Sequence, residues 1–199
     1  MSKFNDITKS GLLNRPVVYI VGSGHNGVEA YGKLPEGGCV IACNRAVLAP
    51  IPATIWICED AGIPSQEWFP EALSKKVVRI FSDSIAKRYP SDYQFRHHGI
   101  WKGKPAPVNG STFGGGTVAC RAVQLSVMSG AKTIILCGVD MSGNLYFDGQ
   151  ENKCQVELRS KGAWKESKNF DEIIRWLRKS FDFEIFTLSV TSLKEPVIM

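Results

Sequence analysis

Val17-Val18-Tyr19-Ile20-Val21-Gly22-Ser23-Gly24-His25-Asn26-Gly27 decides how the rest of the chain is read. Its first five residues are apolar or aromatic throughout, as expected of a strand buried on both faces of a parallel sheet. A G-x-G-x-x-G pattern follows at once, and residues 25–34 then read as a helix. Glycines at these spacings let a backbone turn tightly and approach a phosphate, whose charge is met by amide N–H groups at the start of a helix. The same pattern also serves as a close-packed strand-to-helix turn. A dinucleotide site would add an Asp or Glu about 20 residues on to hold the ribose hydroxyls. That place holds Asn44, which weakens a nicotinamide-dinucleotide reading and leaves Asn44 as a contact for a ribose or base edge.

Outward from this turn, short apolar runs alternate with helical periods. Val17–Val21, Cys39–Cys43, Thr54–Cys58, Val77–Phe81, Thr133–Cys137 and Glu184–Leu188 read as strands, and residues 65–74 and 117–129 as helices. The last helix is marked by Phe170, Ile173, Ile174, Leu177 and Phe181 at helical spacing, with Asp171 and Glu172 placed in its first turn. Gly130 sits where a helix C-terminus takes a left-handed residue. The alternation predicts an α/β fold, a mostly parallel sheet with helices on both faces. Two stretches break it: His97–Gly116, with its glycines and prolines, is expected to be a long loop, and residues 141–167 a lid or insertion.

The length of 199 residues fits a single domain spanning 1–199. With 44% hydrophobic and 22% charged residues, the composition excludes disorder, collagen and coiled coil. No apolar run approaches the roughly 20 residues of a membrane span. The N-terminus has no apolar core of a secretory signal, so a cytoplasmic protein is expected. Cys39, Cys43, Cys58, Cys120, Cys137 and Cys154 form no C-x-x-C pair and are expected as reduced thiols, with no metal site. The net charge of +5 permits an anionic ligand, but no basic stripe interleaved with aromatics points to nucleic acid.

Two further constellations carry chemistry. Asn109-Gly-Ser-Thr-Phe-Gly-Gly115-Gly116-Thr117 runs into the 117–129 helix, an amide-rich helix start suited to an anion or a sugar. It lacks the Gly-Lys-Ser/Thr ending of a phosphate-binding loop of the Walker type. Leu136-Cys-Gly138-Val-Asp140 places a carboxylate at the carboxyl end of a strand, where ligands sit in open parallel sheets; Asp60 stands at a similar strand end. Both carboxylates are equally readable as turn caps. His25 lies in the glycine turn and within reach of a phosphate, while His97 and His98 read as surface residues.

Taken together, Val17-Val-Tyr-Ile-Val-Gly22-Ser-Gly24, Val40-Ile-Ala-Cys-Asn44, Thr117-Val-Ala-Cys-Arg-Ala-Val-Gln-Leu and Gly130-Ala-Lys-Thr-Ile-Ile-Leu-Cys-Gly138-Val-Asp140 resemble the bacterial CMP-sialic-acid-dependent sialyltransferases. They equally resemble the related uncharacterised and 6-hydroxymethylpterin pyrophosphokinase-like proteins. The resemblance continues through Glu166-Ser-Lys-Asn169 to Thr187 and Ser192 and implies a single Rossmann-like nucleotide-binding domain. It implies that Gly22, Ser23, Gly24, Gly27 and Asn44 hold a nucleotide-activated, CMP-type donor, that Gly115, Gly116 and Thr117 shape the donor pocket, and that Asp140 is the family's strand-end acid. Of the two lid tyrosines that stabilise the leaving phosphate, Tyr146 matches one and Ser142 stands in place of the other. Glu166 aligns with the histidine that is the family's general base; a carboxylate there needs a raised pKa for the same task.

Three functional classes therefore remain. The first is glycosyl transfer from a nucleotide sugar, with Glu166 and Tyr146 catalytic and no metal. The second is ATP-dependent pyrophosphoryl transfer to a small alcohol, with Mg²⁺ held by Asp60 or Asp140. The third is a nucleotide-binding protein without turnover. The expected partner in each is a nucleotide-containing small molecule; a homo-oligomer is also open, with Trp68 or Trp101 as candidate contacts.

Overall fold

The computed structural model describes residues 7–100, 111–114, 117–141, 145–151 and 165–199. Among these residues nine strands form one sheet in which every neighbouring pair is parallel. In chain order they are β1 Val17–Val21, β2 Val40–Cys43, β3 Ile55–Cys58, β4 Val78–Ser82, β5 Tyr93–Ile100, β6 Ser111–Gly114, β7 Thr133–Cys137, β8 Glu184–Thr187 and β9 Val197–Ile198. Across the sheet the order is β6-β5-β4-β3-β2-β1-β7-β8-β9, so the chain runs outward from β1 on one side and returns to add β7 on the other.

Alternate side chains of the central strands feed two cores, as the period of two requires. Val18 and Ile20 of β1 join Ile41, Ile57, Ile134 and Ile185 on one face. This face is covered by two helices, α3 Val118–Met128 and α4 Lys165–Leu177, the latter through Phe170, Ile173, Ile174 and Leu177. The opposite face gathers Val21, Ala42, Trp56, Phe81 and Cys137. Its cover is thinner: 3₁₀ turns at His25–Lys33 and Asn44–Leu48, then the short helices α1 Phe69–Ser74 and α2 Asp83–Ala86. Thus 25–34, expected as a helix, is a 3₁₀ run, and 65–74 divides into a 3₁₀ turn at Ile63–Ser65 and α1. Tight 3₁₀ turns let small residues such as Ala30 and Ala46 sit close on the sheet, both at most 3% exposed.

The expected loop at His97–Gly116 is corrected by the structure, since β5 extends to Ile100 and β6 occupies Ser111–Gly114 at the sheet edge. The edge strand β6, and the end of β5 from Arg96 on that pairs with β6 alone, tolerate polar and glycine residues because only one side is paired, and that composition masked them. The start of α4 is also corrected. The helix already includes Lys165, so Asp171 and Glu172 lie in its interior rather than in its first turn. Asp171 instead accepts the Lys194 N–H (3.0 Å) and the Glu195 N–H (3.2 Å), fastening the C-terminal segment to α4. The stop of α3 is as read: Gly130 is left-handed (φ +103°), and the Ala131 N–H reaches back to the Ser126 carbonyl (3.0 Å). Trp68 is half-buried against Phe69 rather than exposed, and Trp101 lies outside the described residues. Cys39, Cys43, Cys58, Cys120 and Cys137 are free thiols. Burial pushes Cys120 and Cys137 up to about 12, so these sulfurs stay protonated in the core.

Candidate functional site

β1 is flanked by β2 on one side and β7 on the other, which makes the carboxyl edge of these three strands the point where the winding direction reverses. Crevices for ligands open at such points in parallel sheets. Gly22 to Gly27 leave β1 there, Asn44 and Arg45 leave β2, and Gly138 to Asp140 leave β7.

The glycines of the first turn are accounted for by what they touch. A Cβ on Gly22 would lie 2.4 Å from the Gly138 carbonyl oxygen, one on Gly24 2.3 Å from Asp140 Oδ2, and one on Gly27 2.6 Å from Gly138 Cα. The turns after β1 and β7 are thus packed backbone to backbone. Their amides are paired accordingly. Gly22 N–H donates to the Cys137 carbonyl (2.8 Å), Gly24 N–H to that of Gly138 (3.0 Å), and Asn26 N–H to Asp140 Oδ2 (3.1 Å). Asp140 therefore caps the 3₁₀ run that begins at His25. Its carboxyl is raised above the ordinary range, chiefly by burial, against the opposing pull of the Asn26 amide and the nearby His25.

Asn44 carries a left-handed backbone (φ +49°), a conformation that Asn tolerates better than most residues. The indole N–H of fully buried Trp56, itself wedged edge-on against Phe81, donates to the Asn44 carbonyl (2.9 Å) and holds this bend. The Asn44 Oδ1 is buried and accepts no hydrogen bond, and the hydroxyl of Tyr31, a residue 7% exposed, has no partner either. Tyr31 belongs to the same site: burial raises its phenol pKa first, and Cys137, Asp140 and Asp148 raise it further. Two polar atoms buried without partners mark this edge as prepared for something polar.

Over it lies a hairpin at residues 145–151. Tyr146 N–H donates to the Gln150 carbonyl (2.8 Å), and the pair Leu145 and Glu151 closes the hairpin. Tyr146 forms an antiparallel bridge to Gly24, Phe147 N–H donates to the Ser23 carbonyl (2.9 Å), and His25 N–H donates to that of Leu145 (3.2 Å). Arg45 clamps the arrangement. Its guanidinium is paired with Asp148, bonded to Gln150 Oε1 (2.9 Å) and stacked over the Tyr146 ring at 4.8 Å.

Of the residues expected from the sequence, Gly22, Ser23, Gly24, Gly27, Asn44, Asp140 and Tyr146 thus come together at one sheet edge. Thr117 stands at the start of α3, where its Oγ1 accepts the Cys120 N–H (3.2 Å) as the helix cap. Glu166 lies in α4, but its side chain, like Gly115, Gly116 and Ser142, lies outside the described residues. So do the side chains of His97 and His98. Asp60 is exposed after β3, with its carbonyl accepting the Ile63 N–H (3.0 Å). Among the described residues no three His, Cys, Asp or Glu gather as a metal site, and no helix is long and apolar enough to cross a membrane. Sequence reading missed Tyr31 and Arg45, and also the buried pair of Arg121 with Glu59 Oε1 (2.7 Å) that ties α3 to the end of β3. A cation directly after Asn44, at a strand's carboxyl end, was the available signal for Arg45.

No protein-family model and no curated protein matches the sequence. Among solved structures the chain is similar to the monofunctional alpha-2,3-sialyltransferase Cst-I from Campylobacter jejuni, with a TM-score of 0.53 and 14% identity over 88% of this chain and 76% of that one. It is similar also to monomeric CstII, a sialyltransferase of the same organism, with a TM-score of 0.52 and 12% identity over 90% of this chain and 87% of that one. At these identities the likeness is one of architecture: the chain has the α/β fold of these sialyltransferases.

Proposed function

We propose that this protein is a glycosyltransferase-like enzyme that binds a CMP-type nucleotide sugar at the carboxyl ends of β1, β2 and β7. The observation that carries this reading is the convergence of four segments far apart in sequence, the 22–27 turn, Asn44, Asp140 and Tyr146, on the switch point of the sheet. Asn44 Oδ1 and the Tyr31 hydroxyl, both buried without partners, give a ribose or base edge its hydrogen bonds. The glycine turn contributes less than its pattern promises, because the amides of Gly22, Gly24, His25 and Asn26 are spent on protein acceptors. The phosphate then falls to Ser23 and the Tyr146 hydroxyl. In the transfer step an acceptor hydroxyl oxygen attacks the anomeric carbon, the bond from that carbon to the phosphate oxygen breaks, and CMP leaves. Glu166 is the candidate base that takes the acceptor's proton.

A thermal-shift panel of CMP, UDP, ATP, GTP and NAD, each with and without Mg²⁺, tests the reading. Stabilisation by CMP that does not need the metal is the expected result. A shift with ATP only in the presence of Mg²⁺ would move the assignment to pyrophosphoryl transfer, and a shift with NAD alone would remove it. Release of CMP from a CMP-sugar then separates turnover from binding, and Glu166→Gln lowers that release without weakening CMP binding.

A further inference from the structure

We propose that Arg45 is a positioning residue that latches the 145–151 hairpin onto the glycine turn and so sets Tyr146 above the nucleotide end of the sheet. The part concerning Tyr146 rests on the nucleotide reading; the latch itself does not. The hairpin touches the turn through two backbone hydrogen bonds, Phe147 N–H to Ser23 and His25 N–H to Leu145, which together form the bridge of Tyr146 to Gly24. So few bonds do not hold a seven-residue hairpin against the entropy of its ends. Arg45 adds three contacts of different kinds on one guanidinium: a charge pair with Asp148, a hydrogen bond to Gln150 and a cation stacked on the Tyr146 ring. An isolated surface ion pair contributes little, but this one joins a network, and the Arg45 side chain is only 13% exposed. Its backbone is fixed as well, because it follows Asn44, whose bend is held by Trp56. The same strand end therefore supplies both the candidate nucleotide contact and the clamp on the segment above it. A lysine has no planar fork to make these contacts at once.

The test uses the whole chain with Arg45→Met, Asp148→Asn and the two combined, followed by amide hydrogen exchange and by CMP titration. Exchange at His25 and Phe147, whose amides dock the hairpin, should accelerate about tenfold in Arg45→Met, less in Asp148→Asn, which leaves Arg45 on Gln150 and the Tyr146 ring, and no further in the double variant than in Arg45→Met. Gly149, whose N–H bonds within the hairpin, and Tyr19 in β1 report whether the hairpin or the fold has come apart, and both should stay as in the parent. CMP affinity should fall in both single variants and in the same order, more in Arg45→Met than in Asp148→Asn. Unchanged exchange at His25 and Phe147 in Arg45→Met overturns the latch. It is also overturned if CMP binding weakens in Arg45→Met but not in Asp148→Asn, because Arg45 then contacts the ligand itself. A parent protein that binds no CMP removes the nucleotide reading, and the exchange result still decides the latch.

Discussion

At Gly22 the space for a single methyl group is taken by the carbonyl oxygen of Gly138, 2.4 Å from where a Cβ would stand. The obstacle is backbone at the end of a central strand, so it has no side-chain rotamer through which to yield. Gly22→Ala is expected to cost about 1–3 kcal/mol or more by overpacking. Gly32→Ala, where no atom lies within 4 Å, should leave stability unchanged or raise it by up to about 1 kcal/mol through the unfolded chain. Urea denaturation of the pair checks this, and equal midpoints would show that the two turns do not interlock. The G-x-G-x-x-G pattern thus conveyed that something approaches the backbone closely, but not what approaches it. A glycine reports missing volume, and that volume is filled here by a second turn 116 residues away. Asp140 gives a pH signature of the same packing. Burial raises its carboxyl, so the folded protein keeps this proton to higher pH than the unfolded chain. Stability from this group is greatest below the ordinary carboxylate value, declines as pH rises through the raised one, and is level above it. Asp140→Asn keeps an oxygen for the Asn26 N–H and should flatten this decline above the ordinary carboxylate value. Asp171, also raised by burial, is present in both proteins and cancels in the comparison. Parallel stability curves for the two proteins would sink the assignment.

At the level of elements, legibility followed the strength of the local pattern. β1 and β7 were read to the residue, because buried parallel strands are apolar throughout. The stop of α3 was legible because Gly130 has a conformational reason to be there. β5 and β6 were not: Arg96, His97, His98, Gly99 and Ser111 look like loop residues until the sheet edge that tolerates them is known. That α4 takes in Lys165 to Asn169 was hidden in the same way, these polar residues having no apolar period to announce them. Long-range polar pairs leave no local trace at all. Arg121, 2% exposed on α3, donates through Nε and Nη2 to Glu59 at the end of β3 and anchors the helix where it covers the sheet. Arg121→Ala removes that partner from a largely buried carboxylate and leaves a cavity, so a loss of about 3–5 kcal/mol is expected. Combining it with Glu59→Gln should recover part of the loss. A double variant as unstable as the sum of the two single ones would mean that the pair contributes no coupling.

For the whole molecule, the arrangement of the sheet matters more than any one motif. Because the chain adds strands outward from β1 to β6 and then returns to β7, the turns after β1, β2 and β7 meet at the middle of the carboxyl edge, the most deeply supported part of the fold. Strands β1, β2 and β7 are buried on both sides, whereas β9 leaves Val197 and Ile198 exposed at the far edge. A ligand seated at that centre touches, besides the 145–151 hairpin, the ends of buried central strands, which are expected to open only with the whole domain. Its binding energy is therefore coupled to global stability and not to local fraying. If CMP binds the folded chain alone, raising it to a hundredfold over its Kd should add about 2.7 kcal/mol to the unfolding free energy. Amide exchange should slow by the matching factor along β1 and β7, and hardly at all in β9, whose residues exchange by local opening. Protection that rises in β9 but not in β1 would place the ligand at the edge of the sheet, away from the turn of Gly22 and the bend of Asn44.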